Sequence, residues 1–295
     1  MTLFLYAITV LIWGTTWIAI SLQNGSVDTV TSVFYRFALA GMCLFFILFF
    51  AGKLQRMKPK DHLWCLLQGA CLFCFNFICF YTASRYMTSG LISIIFSIAI
   101  FFNAINNRVF WKVSPNKSIY AAGLLGVIGL VLLFWQELSH ANASKELFIG
   151  IGLSTLGTYL FSLGNMISVR HSKHGVSTLT GNAYGMNYGA ILLLFIIAMT
   201  HTPLSWDSNP EYVYSLLYLA IPGSVIGFTT YLSLVRRIGA NQAAYTTVLF
   251  PVIALAISSV YENYTWGLLN SSGLAIVLLG NAVALNLLKK KHALT

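Results

Sequence analysis

The chain has 295 residues, of which 58% are hydrophobic and only 8% are charged, and its mean hydropathy is +0.78. Soluble globular domains carry about 25% charged residues, so this composition excludes an ordinary water-exposed surface. The formal net charge of +10 could suggest a nucleic-acid partner. Most of the basic residues instead fall on one predicted side of the membrane, as described below. We predict an integral membrane protein that contacts membrane lipids and binds no nucleic acid.

The cysteines and histidines indicate neither a metal site nor a catalytic centre. All five cysteines fall inside apolar runs, where a thiol behaves as a small hydrophobic group. Cys71 and Cys74 have helical spacing, but no His or acid accompanies them. The chain also lacks a HExxH motif and a phosphate-binding glycine loop. We therefore predict no cofactor, no metal, no disulfide framework and no enzymatic activity.

Ten apolar segments follow one another along the chain, each about long enough to cross roughly 30 Å of hydrocarbon as a helix. Lipid offers the backbone no hydrogen-bond partners, so each segment must be helical. The first segment has no basic region before it and no small-residue cleavage site, which indicates a retained span. The fold class expected is an all-α membrane protein with ten transmembrane helices, at residues 3–22, 30–50, 62–82, 88–107, 118–136, 147–168, 178–200, 211–233, 242–260 and 271–288.

The basic residues predict the orientation of these helices. Of the 17 Lys and Arg residues, 14 lie in the even-numbered connections or after the last segment. Only Arg36, Arg85 and Lys145 fall on the opposite side. Lys and Arg are enriched in cytoplasmic loops, so both termini are predicted to be cytoplasmic.

Two similar stretches suggest that the chain is duplicated. Residues 11–17 read Leu-Ile-Trp-Gly-Thr-Thr-Trp, and residues 156–159 read Leu-Gly-Thr-Tyr. Their glycines, Gly14 and Gly157, are 143 positions apart, close to half of the chain. Five crossings per half would invert the second half relative to the first. We predict two inverted five-helix repeats, at residues 1–138 and 145–290.

The chain resembles the drug/metabolite transporter superfamily, EamA type, over nearly its whole length. The most specific part runs through residues 237–244 (Arg-Ile-Gly-Ala-Asn-Gln-Ala-Ala), Phe250-Pro251, Glu262 and the glycines at 273 and 280. In the first half, Trp13-Gly-Thr and residues 35–41 resemble the family's Trp-Gly-Ser and Arg-Phe motifs. The resemblance implies ten helices, two inverted repeats, a central cavity and alternating access. It also implies export of amino acids and related metabolites, with some uptake.

The two halves differ at positions where the family pattern would make them alike. The first-half counterpart of Pro251 is Ala99, and that of Glu262 is Phe110. A mechanism that needs two symmetric acids is therefore not expected. The resemblance places the protein in a bacterial inner (plasma) membrane, as a monomer or weak dimer.

A transporter needs polar and aromatic groups near the middle of the membrane to bind its substrate. Trp usually lies at the membrane interface, so Trp13 and Trp17 at mid-depth need another explanation, and a substrate-stacking surface is one. Amides within a span must face other helices or a cavity. Core packing and helix–helix hydrogen bonding are the alternatives. The candidate substrate-binding residues are Trp13, Thr15, Thr16, Trp17, Asn76, Tyr81, Asn103, Tyr159, Asn165, Tyr184, Asn187, Tyr231 and Tyr245.

Proline and charge indicate where the helices could open and close. Pro222-Gly223 and Pro251 lie at the middle of the eighth and ninth segments, where proline leaves a backbone carbonyl unpaired. These residues are predicted to form a flexed gate, with packing kinks as the alternative. Glu262 is expected near the outer end of the ninth segment, as a snorkelling charge or in an outer-gate salt bridge with Arg85 or Arg36, so these three residues are also candidate gating residues. Arg36 itself, at the outer end of the second segment, is expected to contact a gate or lipid. Proton coupling through Glu262 is the less favoured interpretation.

No charged residue is expected near the middle of any span, which favours a neutral or zwitterionic substrate. The first hypothesis is a secondary transporter that exports amino acids or related metabolites by alternating access. The second is an importer or exchanger of a nucleobase, vitamin or nucleoside-like compound. The third is a membrane enzyme or scaffold that transports nothing.

Overall fold

A computed structural model describes residues 2–25, 27–114, 117–133, 135, 145–244, 246–262 and 267–292. These residues form helices and connections, with no strand among them. Each of the ten predicted segments falls on a helical part of this structure. The helix bounds often match closely, as at Thr178–Thr200.

Seven α-helices are described in the first half. Pro59 begins one of these helices, and the side chain of Asp28 caps the start of another. The carboxylate of Asp28 accepts a hydrogen bond of 2.7 Å from the Val30 N–H. The helices are α1 (Thr2–Ser21), α2 (Thr29–Phe50), α3 (Pro59–Gly69), α4 (Asn76–Ala83), α5 (Ser89–Phe96), α6 (Ala99–Trp111) and α7 (Lys117–Leu133).

The second half contains seven more helices within the described residues. The Asn209 side chain caps the helix that begins at Pro210, accepting a hydrogen bond of 3.0 Å from the Glu211 N–H. The helices are α8 (Lys145–Lys173), α9 (Thr178–Thr200), α10 (Pro210–Tyr218), α11 (Gly227–Ile238), α12 (Ala240–Ala243), α13 (Thr246–Tyr261) and α14 (Leu268–His292).

Seven helical segments of the described chain are long and apolar enough to cross a membrane. Three shorter apolar stretches, 124–133, 249–261 and 268–280, lie within α7, α13 and α14. The outer surface carries large exposed apolar side chains, such as Phe50 and Leu194, which suit contact with lipid. The seven segments are Thr2–Ser21, Thr29–Phe50, Pro59–Ala83, Ser89–Trp111, Lys145–Lys173, Thr178–Thr200 and Pro210–Ile238.

The helices of the two halves pack against each other in matching pairs. Helix α2 packs along α9, α7 packs along α14, and α5 packs along α13. Helices α1 and α8 each pack against two segments of the opposite half. At the α7–α14 contact the backbones approach closely, since a Cβ on Gly129 would lie 2.7 Å from the carbonyl oxygen of Gly273. Small residues permit this approach between membrane helices.

Two π-helical turns interrupt the helices that lie beside the centre of the molecule. One, Ala70–Phe75, joins α3 to α4, and the other, Leu219–Ile226, joins α10 to α11. The second contains Pro222, which has no N–H and cannot continue the α-helical hydrogen-bond ladder. π-Turns within α-helices often occur at functional sites.

Candidate functional site

A small cavity lies at the centre of the molecule, between helices of both halves. Its volume is about 30 Å³, close to that of one water molecule. Helices α1, α2, α4, α5, α8 and α11 contribute to its walls. The lining residues are Trp13, Thr16, Trp17, Ile20, Arg36, Asn76, Phe77, Phe80, Phe96, Phe161 and Phe228.

Trp13 is held on one side of this cavity by a carbonyl that the π-turn releases. In a regular α-helix the Gly227 N–H would bind the carbonyl of Gly223. Here it donates to the carbonyls of Pro222 and Ser224 instead. The Gly223 carbonyl is left to accept a hydrogen bond of 3.3 Å from the Trp13 Nε1–H. The shifted hydrogen bonding of the π-turn that contains Pro222 thus helps to position the indole ring.

The absence of a side chain at Gly227 lets the indole approach the backbone. A Cβ built at this position would lie 2.5 Å from Nε1 of Trp13. Trp13 itself is 6% exposed. Its ring contacts Tyr231 and Phe228, with centroids 4.8 and 5.0 Å away. Aromatic packing and one hydrogen bond therefore fix its orientation.

Trp17 lies one turn further along α1, lines the same cavity and has an unused hydrogen-bond donor. Its ring packs against Phe80 and Phe96, with centroids 5.2 and 5.5 Å away. The side chain is 7% exposed. Among the described residues, nothing accepts a hydrogen bond from its Nε1–H. A buried donor without a partner is uncommon in folded proteins.

Arg36 brings a positive charge to the cavity. It lies in α2, about 10 Å along the helix from its first residue. Its side chain is only 2% exposed. The expectation that the cavity carries no fixed charge is therefore wrong, and the burial of Arg36 excludes the expected alternative of contact with lipid. A gating role for Arg36 stays a prediction. The distribution of basic residues predicted Arg36 at the outer side of the membrane, but helix packing directs its side chain into the protein, where it lines the cavity.

The guanidinium group of Arg36 is held by hydroxyls and a ring. Its Nε donates to Ser224 Oγ at 2.9 Å, and its Nη1 donates to the Tyr81 hydroxyl at 3.5 Å. Its Cζ lies 4.3 Å from the centroid of Phe77, a cation–π distance. Six of the seven acidic residues are described, and none of those carboxylates lies within 4.0 Å of the guanidinium. Among the described residues, the buried charge of Arg36 therefore has no counter-ion.

Asn76 also lines the cavity and links the two halves. Its Nδ2 donates to the Gly157 carbonyl of α8 at 2.8 Å. Gly157 belongs to the second of the two similar stretches found in the sequence. Both halves supply aromatic rings to the wall of the cavity, because α8 and α11 contribute Phe161 and Phe228.

A buried amide network supports Trp13 on the side away from the cavity. The Asn165 Nδ2 donates to the hydroxyl of Tyr231 at 2.9 Å, and to Oδ1 of Asn103 at 3.3 Å. Asn103 in turn reaches the Ala240 carbonyl at 3.5 Å. The Tyr231 ring then packs against Trp13. These three predicted residues lie behind the cavity wall and do not line it.

Other candidate residues lie elsewhere. Thr15 contacts the hydroxyl of Tyr218, and Asn187 donates to the Ala183 carbonyl at 2.7 Å. Tyr159 is 38% exposed and packs against Phe102. Tyr184 packs against His62, with ring centroids 4.7 Å apart. Tyr245 lies outside the described residues.

Of the predicted gate residues, Arg36 lines the cavity and Gly223 packs against two of the residues that line it. A Cβ on Gly223 would be 2.9 Å from Thr16 and 3.6 Å from Nη2 of Arg36. Pro251 is buried within α13, next to Phe250, whose ring packs against both Trp13 and Trp17.

Glu262 pairs with serines and not with either arginine. Its carboxylate accepts hydrogen bonds from the hydroxyls of Ser21 at 2.8 Å and of Ser89 and Ser258 at 2.6 Å. The carboxylate also accepts a hydrogen bond of 3.1 Å from the Ser89 N–H. Ser89 is the first residue of α5, where the helix dipole is positive. Arg85 is exposed, and no described acidic side chain pairs with it. The expected Glu262–Arg ion pair is therefore wrong, and Glu262 instead ties α1, α5 and α13 together.

A larger apolar groove, of about 460 Å³, lies between α3, α6 and α8. None of the predicted site residues lines it. Its walls include Trp64, Phe110 and Ile167, with Lys60 and His174 among the lining residues. The central cavity, and not this groove, gathers the predicted aromatic and polar residues.

Sequence reasoning missed all five phenylalanines that line the cavity, together with Ser224, which binds Arg36. Phe is common throughout the apolar segments, with 21 in the chain, so no local signal separates a cavity ring from a lipid-facing one. Ser224 offered a weak signal, since it lies two residues after Pro222, within the predicted kink.

Comparisons with known proteins agree with this architecture. The sequence profile of the EamA-like transporter family matches residues 1–135 and 148–286. An uncharacterized transporter of Archaeoglobus fulgidus is 28% identical over 262 residues, covering 87% of each chain. An uncharacterized transporter of Buchnera aphidicola, in its trpA 3′ region, is 25% identical over 280 residues, covering 92% of this chain and 86% of its own.

Protein PagO of Salmonella typhimurium is a third relative, 24% identical over 263 residues, covering 89% of this chain and 84% of its own. A solved structure superposes with a TM-score of 0.71 over 97% of both chains. Its sequence identity is 17%, so it supports the fold alone. The family match spans most of both halves, and transporters of this kind are not enzymes. The chain is therefore an integral membrane transporter that belongs to the EamA-like transporter family.

Proposed function

We propose that the chain is a secondary transporter that exports amino acids or related small zwitterionic metabolites by alternating access. The central cavity carries this proposal, because side chains of both halves meet there around groups able to bind a solute. Aromatic rings, an amide, a hydroxyl and a guanidinium offer stacking, hydrogen bonds and charge. Transporters of related architecture bind their substrates between repeats, near the membrane midplane.

The proposed architecture is ten transmembrane helices in two inverted repeats, at residues 1–138 and 145–290. The matching pairs of helices support it, since α2, α5 and α7 each pack against the helix in the corresponding position of the second half. The charge distribution supports cytoplasmic termini, in the inner membrane of a bacterium. Monomers or weak dimers would suffice, because the cavity draws only on one chain.

The small size of the cavity supports a closed arrangement. About 30 Å³ does not accommodate an amino acid, so a substrate would enter only when the helices around the cavity separate. The π-turns and Pro222 lie in helices beside the cavity, where flexing would widen it. Gating by Pro222, Gly223 and Pro251 is part of the proposal.

Reconstitution tests the transport proposal directly. Proteoliposomes preloaded with unlabelled neutral amino acids are expected to accumulate the matching radiolabelled amino acid by saturable counterflow. Empty liposomes and liposomes with Trp13→Ala protein are the controls, and Trp13→Ala is expected to lose counterflow while still being expressed. If no neutral amino acid gives saturable counterflow, amino-acid transport is rejected.

The aromatic lining also favours a second candidate, the import or exchange of a nucleobase, vitamin or nucleoside-like compound. Flat heterocycles stack well on Trp and Phe rings. The same counterflow assay with nucleobases and flat vitamins would separate the two candidates.

We further propose that Glu262 and its serines close one end of the cavity. Ser21 lies one turn from Trp17, so this cluster lies beyond the cavity at the end of α1. Replacing Glu262 with Gln removes charge-assisted hydrogen bonds, each worth about 1.5–3 kcal/mol. In protein with its five native cysteines replaced, a cysteine at Ile20 is expected to react about tenfold faster with a membrane-impermeant thiol reagent in Glu262→Gln than with Glu262 intact.

The matched control is Glu211→Gln, because Glu211 is an exposed acid in the N-terminal turn of α10. That change is expected to leave the reactivity at position 20 unaltered. Equal reactivity in all three backgrounds would show that Glu262 does not close the cavity.

A further inference from the structure

Two side chains that line the central cavity, Trp17 and Arg36, have hydrogen-bond donors without an acceptor. Trp17 Nε1–H has no acceptor among the described residues. Arg36 uses its Nε and Nη1, and no described group accepts from its Nη2, which lies 3.6 Å from the Cβ position of Gly223. Arginine has five N–H donors and no acceptor. Unused donors beside a cavity call for a ligand rich in acceptors.

The charge of Arg36 points to the same kind of ligand. A buried charge is normally paired, because removing an ion from water is unfavourable unless an opposite charge compensates. No described carboxylate approaches the Arg36 guanidinium within 4.0 Å. A guanidinium matches a carboxylate with two parallel hydrogen bonds. A substrate carboxylate would therefore supply the missing counter-ion.

The neighbours of Arg36 orient it without neutralising it. The Ser224 hydroxyl that accepts from Nε also donates to the Leu219 carbonyl at 2.8 Å, within the π-turn. The Tyr81 hydroxyl that accepts from Nη1 also donates to Gln23 Oε1 at 2.8 Å. Both hydroxyls therefore have a second partner, and neither depends on Arg36. The guanidinium is held in place while its remaining donors stay available.

The rest of the cavity is apolar and aromatic. Seven rings line it, from Trp13, Trp17 and five phenylalanines. Such walls suit an apolar or flat body attached to the charged group. The faces of these rings also accept an ammonium group by cation–π contact.

Resting on the proposed transport function, we propose that Arg36 and Trp17 bind the carboxylate of the substrate. The transporter then selects small carboxylates with an apolar or aromatic body, and an aromatic amino acid is one such molecule. Uncharged nucleobases and amines without a carboxylate are rejected, because they leave Arg36 unpaired.

Matched pairs of ligands test this proposal by binding alone. The full-length protein in detergent is titrated with monocarboxylates and their carboxamides, including tryptophan with tryptophanamide and 3-phenylpropionate with 3-phenylpropionamide. Wild-type protein is expected to bind each preferred acid about 10- to 100-fold more tightly than its amide, as expected for a hydrogen bond to a charged group. In Arg36→Gln the ratio is expected to fall to about 1–3, with amide affinity unchanged. Arg36→Lys keeps the positive charge but loses the planar guanidinium, which offers two parallel N–H donors to a carboxylate. An intermediate ratio of acid affinity to amide affinity is therefore expected.

Unchanged amide binding in Arg36→Gln shows that the variant is folded and that only carboxylate recognition is lost. The proposal is overturned if wild-type protein binds acids and amides equally, binds no carboxylate of the series, or keeps its preference in Arg36→Gln. Counterflow of the same compounds separates the two proposals. Equal transport of acids and amides would reject only the role of Arg36, while carboxylate-selective binding without any counterflow would reject only the transport function.

Discussion

Arg36→Met is expected to abolish transport of the substrate and to leave the protein at least as stable as wild type. The side chain of Met is unbranched, apolar and uncharged, and it extends about as far as the Nε of Arg36, so it keeps the aliphatic part of the side chain and removes the guanidinium group. Both hydroxyls that accept from Arg36 keep another partner, so the change leaves neither of them unsatisfied. Removing an uncompensated buried charge is expected to stabilise the fold by about 1–3 kcal/mol, equivalent to a few degrees in Tm.

Thermal unfolding in detergent, followed with counterflow in proteoliposomes, measures both effects. Arg56→Met is the matched control, because Arg56 is exposed in the connection between α2 and α3. Its effect on stability is expected to stay within about 0.5 kcal/mol, with transport intact. A clear fall in the Tm of Arg36→Met would show instead that Arg36 braces the helices. Natural proteins often retain such unfavourable groups where function requires them.

Gly227→Ala is expected to displace the Trp13 indole and to impair both stability and transport. The added methyl carbon would lie 2.5 Å from Trp13 Nε1, well inside van der Waals contact. The indole must then lose its hydrogen bond to the Gly223 carbonyl or shift the helices around it. Overpacking of this kind destabilises by about 1–3 kcal/mol.

A double-mutant cycle with Trp13→Phe tests whether this clash is the cause. Phe has no ring nitrogen at the point of collision, so Gly227→Ala is expected to cost much less in the Trp13→Phe background. Gly152→Ala provides the control, since a Cβ on Gly152 meets no atom within 4 Å. That change in α8 should be neutral or slightly stabilising, because Ala favours helix more than Gly. Additive effects at positions 13 and 227 would contradict the proposed contact.

The placement of each helix in the chain could be read from the sequence because it depends on local properties. Apolar length and the requirement for internal backbone hydrogen bonds make a helix wherever a segment must lie in lipid. The interruption at Pro222 is local as well, since proline removes a backbone donor wherever it stands. The mid-depth position of Trp13 followed from its place within α1.

The face that each side chain presents could not be read in the same way. A soluble helix shows its buried face by an apolar stripe. In this chain the lipid-facing and protein-facing sides are both apolar, so Asn76, Asn187 and Tyr159 looked equivalent. Packing turned Asn76 into the cavity, Asn187 toward its own helix backbone, and Tyr159 to the surface.

The sequence by itself determined an all-helical membrane transporter, its family, and the aromatic and proline residues around its centre. Only the tertiary structure decided which residues surround the cavity, since that depends on the rotation of each helix about its axis. Arg36 illustrates the difference. Its charge and its position near a helix end predicted contact with a gate or lipid, whereas packing buries it in the wall of the cavity, with no counter-ion among the described residues. That placement narrows the proposed ligand from a neutral or zwitterionic solute to one that carries a carboxylate.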